Sequence, residues 1–181
     1  KEKLKKHIDV ELKRANLPYV YLSDALDHIS CHENTAHYIE LIKELYPDAE
    51  CSLVAKEPYQ LLMATRLSAQ CTDKRVNMVT PALIDAYPTA QAMANATIDE
   101  IYEYIKSVSY PNAKARHLQG MAQALVERFN GIVPSTTEEL TTLPGVGRKP
   151  ANVITAVCFG QPTMAVDTHV FRVAARIGLS R

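Results

Sequence analysis

Apolar residues recur along this chain at spacings of three and four, and no stretch alternates apolar with polar as a half-buried strand requires. That periodicity restricts the chain to an all-α fold. From about His37, Tyr38, Leu41, Ile42 and Leu45 share one face of a helix that Pro47 and Asp48 close. Pro58, suited to a first helical turn, opens a second helix that runs to about Gln70. Residues 73–87 form a third, and the Thr97/Glu100 capping-box pair heads a fourth through Ile101, Tyr104 and Ile105. Residues 114–129 make a longer helix that Asn130 and Gly131 stop, and Ser135 with Glu138 repeats the capping-box spacing before a short helix ending near Leu143. A helix through Ala151, Val153, Ile154 and Val157 follows and ends at Gly160 and Pro162. The last helix spans 168–177, with Asp167 as its N-cap and Gly178 just past its end. Residues 1–13 are amphipathic and rich in lysine and glutamate, whereas 16–34 hold no sustained period. Residues 1–36 are an N-terminal segment without an assigned role.

At 181 residues with 47% hydrophobic side chains, the chain is long and apolar enough for one or two cored domains. No run approaches the roughly 18 consecutive apolar residues of a membrane span, and no secretory h-region opens the chain, so a soluble, cytoplasmic protein without membrane contact is expected. Cys31, Cys51, Cys71 and Cys158 are scattered, without a CxxC pair or a histidine at zinc-finger spacing; neither a metal site nor a disulfide framework is indicated. The formal net charge of zero gives no general affinity for phosphate. The distribution is uneven, however: beyond Glu139, Arg148, Lys149, Arg172, Arg176 and Arg181 are opposed only by Asp167, which makes a local cationic excess. The chain begins without methionine and stops at Arg181 just after an expected helix end, as a piece of a longer polypeptide would.

The most informative segment joins the two helices that flank Pro144, Gly145, Val146 and Gly147. Gly145 and Gly147 are able to take backbone angles closed to other residues, and neither has a side chain to obstruct a phosphate. Leu143 and Val146 would anchor the turn in the core, while the next helix start adds partial positive charge and unsatisfied N–H donors. On these four residues alone, a plain helix-to-helix turn and a helix-hairpin-helix phosphate clamp fit equally well.

Three longer motifs separate those readings. LPGVGRKPANV at 143–153, AVDTHVFRVAARIGL at 165–179 and LSAQCTDKRVN at 67–77 resemble, in order, the motifs of the endonuclease III family, and the resemblance runs from about His37 to the end. It implies a helix-hairpin-helix DNA glycosylase fold: a six-helix domain over 51–160, and a second helical domain, incomplete here, from 37–50 plus 161–181. The implied activity is bifunctional, base excision followed by abasic-site lyase cleavage, with oxidised pyrimidines in duplex DNA as substrate and a monomer as the working form.

Within that resemblance Lys149 is the nucleophile. It stands one residue past the hairpin arginine, Arg148, where the positive end of a helix dipole favours a neutral amine. Asp167, which as an isolated residue would be only an N-cap, looks like the family's catalytic carboxylate, stabilising charge that builds on the sugar. Gln70 and Tyr110 occupy positions that by resemblance enter the duplex from opposite sides when a nucleotide is extruded. Their bland reading is a helix-end glutamine and a loop aromatic. Asn112, Lys114 and Arg116 read as a solvated helix start that also meets phosphate. Two departures stand out. Pro150 replaces the family's usual threonine beside the nucleophile, and Tyr110 replaces an apolar residue. Adenine-mismatch relatives generally lack the hairpin lysine and carry glutamate where this chain has Arg66, which favours the lyase. The resemblance also implies a [4Fe-4S] cluster in the full-length protein, held by four cysteines past the region where this chain ends, with no cofactor or metal held by the present cysteines. The alternatives are a non-catalytic helix-hairpin-helix DNA-binding module and an adenine-mismatch glycosylase relative.

Overall fold

Threonine hydroxyls set the starts of four of the helices. Thr72, Thr89, Thr97 and Thr136 each stand in extended backbone just before a helix and accept the N–H of the residue three positions on. At Thr97 the box is complete, because the Glu100 carboxylate also accepts the Thr97 N–H at 2.8 Å. The computed structural model describes residues 33–176, and all regular structure among them is helical: α1 (Glu33–Leu45), α2 (Pro58–Leu67), α3 (Asp73–Ala86), α4 (Ala90–Asn95), α5 (Ile98–Ile105), α6 (Pro111–Phe129), α7 (Thr137–Leu140), α8 (Arg148–Phe159) and α9 (Thr168–Arg176). The amphipathic segment expected at 1–13, together with Ile177, Gly178 and Arg181, lies outside these residues.

Two details differ from the sequence expectation. Helix α4 was not expected; its six residues are too few and too small to show a period, although Thr89 caps it. The cap of α7 is Thr136 rather than Ser135, with Glu139 rather than Glu138 as the partner, because both pairs have the same spacing and only the second has its hydroxyl at the helix start.

The described residues divide into two compact units. Ser52–Gln161 holds α2 to α8. Helix α2 buries Tyr59, Leu61, Leu62, Met63, Ala64, Thr65 and Leu67, apolar nearly all round as a central helix must be. The 19-residue α6 packs against α2, α4 and α5, and α8 against α2 and α7. Leu62, Met63, Leu67, Leu83, Met93, Ile101, Ile105, Leu118, Met121 and Leu125 are fully buried, each contributing about 1.5–3 kcal/mol of hydrophobic stabilisation. Asn130 and Gly131 end α6 in left-handed backbone, with the Gly131 N–H reaching back to the Leu125 carbonyl at 2.9 Å.

The second unit comprises 33–51 and 162–176 among the described residues. Helix α1 buries Ile39 and Ile42, and α9 buries Val170 and Val173 while exposing Phe171.

Candidate nucleic-acid interface

The turn between α7 and α8 is built from the inside. Leu143 and Val146 are buried, and the Val146 N–H closes the turn on the Leu143 carbonyl at 3.1 Å. Their side chains face the core, so this stretch offers its backbone to the outside. Gly145 has φ +75°, and a Cβ there would lie 2.6 Å from Arg66 Nε and 3.0 Å from the His117 ring. Conformation and space both demand glycine at 145. Gly147 corrects the sequence reading: its φ of −89° is open to any residue, and a Cβ would meet nothing within 4 Å. What Gly147 contributes is a bare surface at the start of α8, since it caps that helix without any side-chain hydrogen bond.

Arg148 and Lys149 are the first two residues of α8 and both are exposed. Pro150, third in the helix, occupies a first-turn position whose N–H would have no intrahelical acceptor, so proline breaks no helical bond there. Residues that the sequence reading did not assign form the floor of the hairpin. Arg66 Nη2 meets His117 Nδ1 at 2.7 Å, and Arg66 Nε is buried without a hydrogen-bond partner. Burial lowers the pKa of both groups, and for His117 the charges of Arg66 and Arg116 act in the same direction. His117 therefore accepts from Arg66 as a neutral imidazole. Nothing in the local sequence signals the pair, because its partners are 51 positions apart.

Gln70 and Tyr110 are brought together. Both are exposed, Tyr110 by 67%, and both hold left-handed backbone, with φ of 52° and 53°. Non-glycine residues take that conformation at a cost of about 1–2 kcal/mol each, and such sites cluster where function dictates the backbone. Their loops are tied by Ser109, whose hydroxyl donates to the Gln70 carbonyl at 2.6 Å. Asn112 is exposed in the first turn of α6. Lys114 overturns the sequence reading, for it is 3% exposed rather than solvated. Its Nζ donates to the carbonyls of Leu67 at 2.7 Å and Ala69 at 2.8 Å and to Ser109 Oγ at 3.1 Å. Burial lowers its pKa; Cys71 opposes the shift and Arg66 adds to it.

Helices α2 and α6 serve both regions. Arg66 of α2 and His117 of α6 support Gly145, and a Cβ added at Gly120 of α6 would lie 3.6 Å from Pro144. One turn earlier, Lys114 holds the chain that leaves α2.

In the other unit, Asp167 does cap α9: its Oδ1 accepts the N–H groups of His169 and Val170, each at 2.9 Å. It lines a surface depression with Val166, Thr168 and Phe171. The expected cationic excess is divided, Arg148 and Lys149 lying in one unit and Arg172 and Arg176 in the other. No three His, Cys, Asp or Glu side chains among the described residues form a group able to hold a metal ion. Cys51, Cys71 and Cys158 do not gather into the four-thiolate donor set of a [4Fe-4S] cluster. Among the described residues no helix is long and apolar enough to cross a membrane.

A helix-hairpin-helix turn with a required glycine, followed by an exposed lysine, defines a class that known proteins share. The model of the HhH-GPD superfamily of base excision DNA repair proteins matches residues 63–181. The chain is 52% identical over 142 residues to endonuclease III of Synechocystis sp. and 43% identical over 143 residues to that of Bacillus subtilis, covering 65% of the length of each. To endonuclease III of Escherichia coli it is 40% identical over 146 residues, which is 79% of this chain and 69% of that protein. A solved structure of a trapped endonuclease III–DNA covalent intermediate matches with a TM-score of 0.78 at 42% identity, over 83% of this chain and 71% of that one. A thermostable thymine-DNA glycosylase, at 21% identity and a TM-score of 0.73, shares the fold. This chain belongs to the endonuclease III family.

Proposed function

We propose that this chain supplies the DNA-binding and catalytic side chains of a base-excision glycosylase with abasic-site lyase activity, acting on oxidised pyrimidines in duplex DNA. The observation that carries this reading is an exposed lysine, Lys149, in the first turn of the helix that follows a glycine-built hairpin, in a chain of this family. The hairpin backbone and the start of α8 hold a phosphate, which fixes the DNA without reading its sequence. Gln70 and Tyr110 fill the gap left when the damaged nucleotide is extruded. Lys149 Nζ then attacks C1′; the nitrogen–carbon bond forms as the bond to the base breaks, and the base leaves with a proton given up by the attacking nitrogen. Asp167 stabilises the positive charge that develops on the sugar and takes part in the proton transfers. Opening of the sugar ring gives a Schiff base between Nζ and C1′. Loss of a C2′ proton then expels the 3′ phosphate by β-elimination, and water releases the amine.

Two relatives support the reading by what they are: structures of endonuclease III bound to DNA, one of them a covalent intermediate. A protein with this role works as a monomer in the compartment that holds DNA, which in a bacterial cell is the cytoplasm. The [4Fe-4S] cluster of the family belongs, in this reading, to residues other than the described ones. Borohydride reduction in the presence of an abasic duplex is the test. The protein is expected to form a covalent DNA adduct that Lys149→Ala abolishes. Equal trapping by that variant removes Lys149 from its role, and salt-sensitive DNA binding without trapping leaves only a phosphate clamp.

A further inference from the structure

Among the described residues Lys114 is the only charged side chain in the buried set. Removing an ammonium from water is costly unless each N–H finds an acceptor. All three do, and where the acceptors lie is informative. A lysine that merely finished α2 would need the Leu67 carbonyl, the last of that helix, where a cation also suits the dipole. Lys114 goes further along the chain, to the Ala69 carbonyl directly before Gln70, and across to Ser109 directly before Tyr110. Ser109 completes the circuit by donating to the Gln70 carbonyl itself. One buried cation and one hydroxyl thus hold the peptide groups on both sides of Gln70 and tie them to the residue before Tyr110, and both left-handed residues expose their side chains.

Resting on the function proposed above, we infer that Lys114, acting through Ser109, is a positioning residue for duplex opening. It locks the Gln70 and Tyr110 loops at one spacing, so that the two side chains enter the DNA as a single two-pronged wedge. Lys114 touches neither the damaged base nor the sugar. Its contribution is confined to the step in which a stacked, paired nucleotide is forced out, and it is not needed once that nucleotide is already unpaired.

The substrate comparison follows from this. Borohydride trapping rates are measured for the protein on one oligonucleotide carrying an oxidised pyrimidine, first paired in a duplex and then as the single strand. Lys114→Met keeps the stem and removes the donors; the duplex rate is expected to fall about tenfold or more, the scale of one lost charge-assisted hydrogen bond, while the single-strand rate changes less than about twofold. Ser109→Ala, milder and half-exposed, is expected to move the duplex-to-single-strand ratio the same way by about threefold, and it decides the matter if Lys114→Met does not fold. A fluorescent adenine analogue paired opposite the oxidised pyrimidine is expected to unstack with the unaltered protein and to stay quenched with either variant. Equal losses on both substrates, or an unchanged ratio with unstacking retained, would overturn the inference and leave Lys114 as a helix cap. Absence of trapping by the unaltered protein on either strand form is a separate failure: it overturns the glycosylase and lyase reading first, and this inference with it.

Discussion

Helices α8 and α9 begin in opposite ways. The start of α9 is closed: Asp167 gives its carboxylate to two backbone N–H groups. The start of α8 is bare: Gly147 brings no side chain, and open space surrounds the place where one would be. Threonine caps four other helices, and the two further helices that start without a side-chain cap, α2 and α6, open on proline, which α8 does not. A helix start left without an internal acceptor is stabilised when an outside anion arrives. Under the function proposed above, the bare start of α8 is left for a phosphate, whereas the carboxylate at α9 has a charge to offer beyond its cap.

The contrast is tested most severely at Asp167. Asparagine caps helices as well as aspartate does, so Asp167→Asn is expected to shift thermal stability by less than about 0.5 kcal/mol while lowering the trapping rate by about a hundredfold or more, as loss of a preorganised electrostatic group does. Retained activity would make Asp167 a cap and nothing else. Next in size is the reverse change at α8. Gly147→Asp installs the missing cap and is expected to stabilise the fold by a few tenths of a kcal/mol, yet to weaken binding of an abasic duplex about tenfold by placing a carboxylate where phosphate sits. Calorimetry and a binding titration on the one variant decide it, and stability and affinity rising together would refute the phosphate seat. The smallest effect concerns the hairpin floor. His117 has a folded-state pKa below its unfolded value, so the folded form binds fewer protons, and stability falls as pH drops from above about 6.5 through the folded-state value. His117→Gln should flatten that slope by a modest amount in unfolding midpoints measured between pH 7 and pH 5. An unchanged slope would mean that neither burial nor the charges of Arg66 and Arg116 lower the His117 pKa.

The long helices were legible because apolar spacing and capping residues act over a turn or two. Helix α4 was not, since Ala90, Gln91, Ala92 and Met93 offer no repeating apolar face. The turn glycines showed the same limit in miniature: the motif pointed to Gly145 and Gly147 alike, and only the packing of Arg66 and His117 against Gly145 distinguishes them. Lys114 was read as solvated because a lysine in the first turn of an amphipathic helix usually is. Two of its three acceptors come from residues 45 and 47 positions away, beyond any local pattern.

The grip that Lys114 and Ser109 exert falls on main-chain carbonyls and on one another, never on the side chain of residue 70 or residue 110. The tool holder is therefore independent of the tools. Other side chains could be fitted at those two tips, to suit a different orphaned partner base, without disturbing the joint that aims them, provided each still tolerates the left-handed bend.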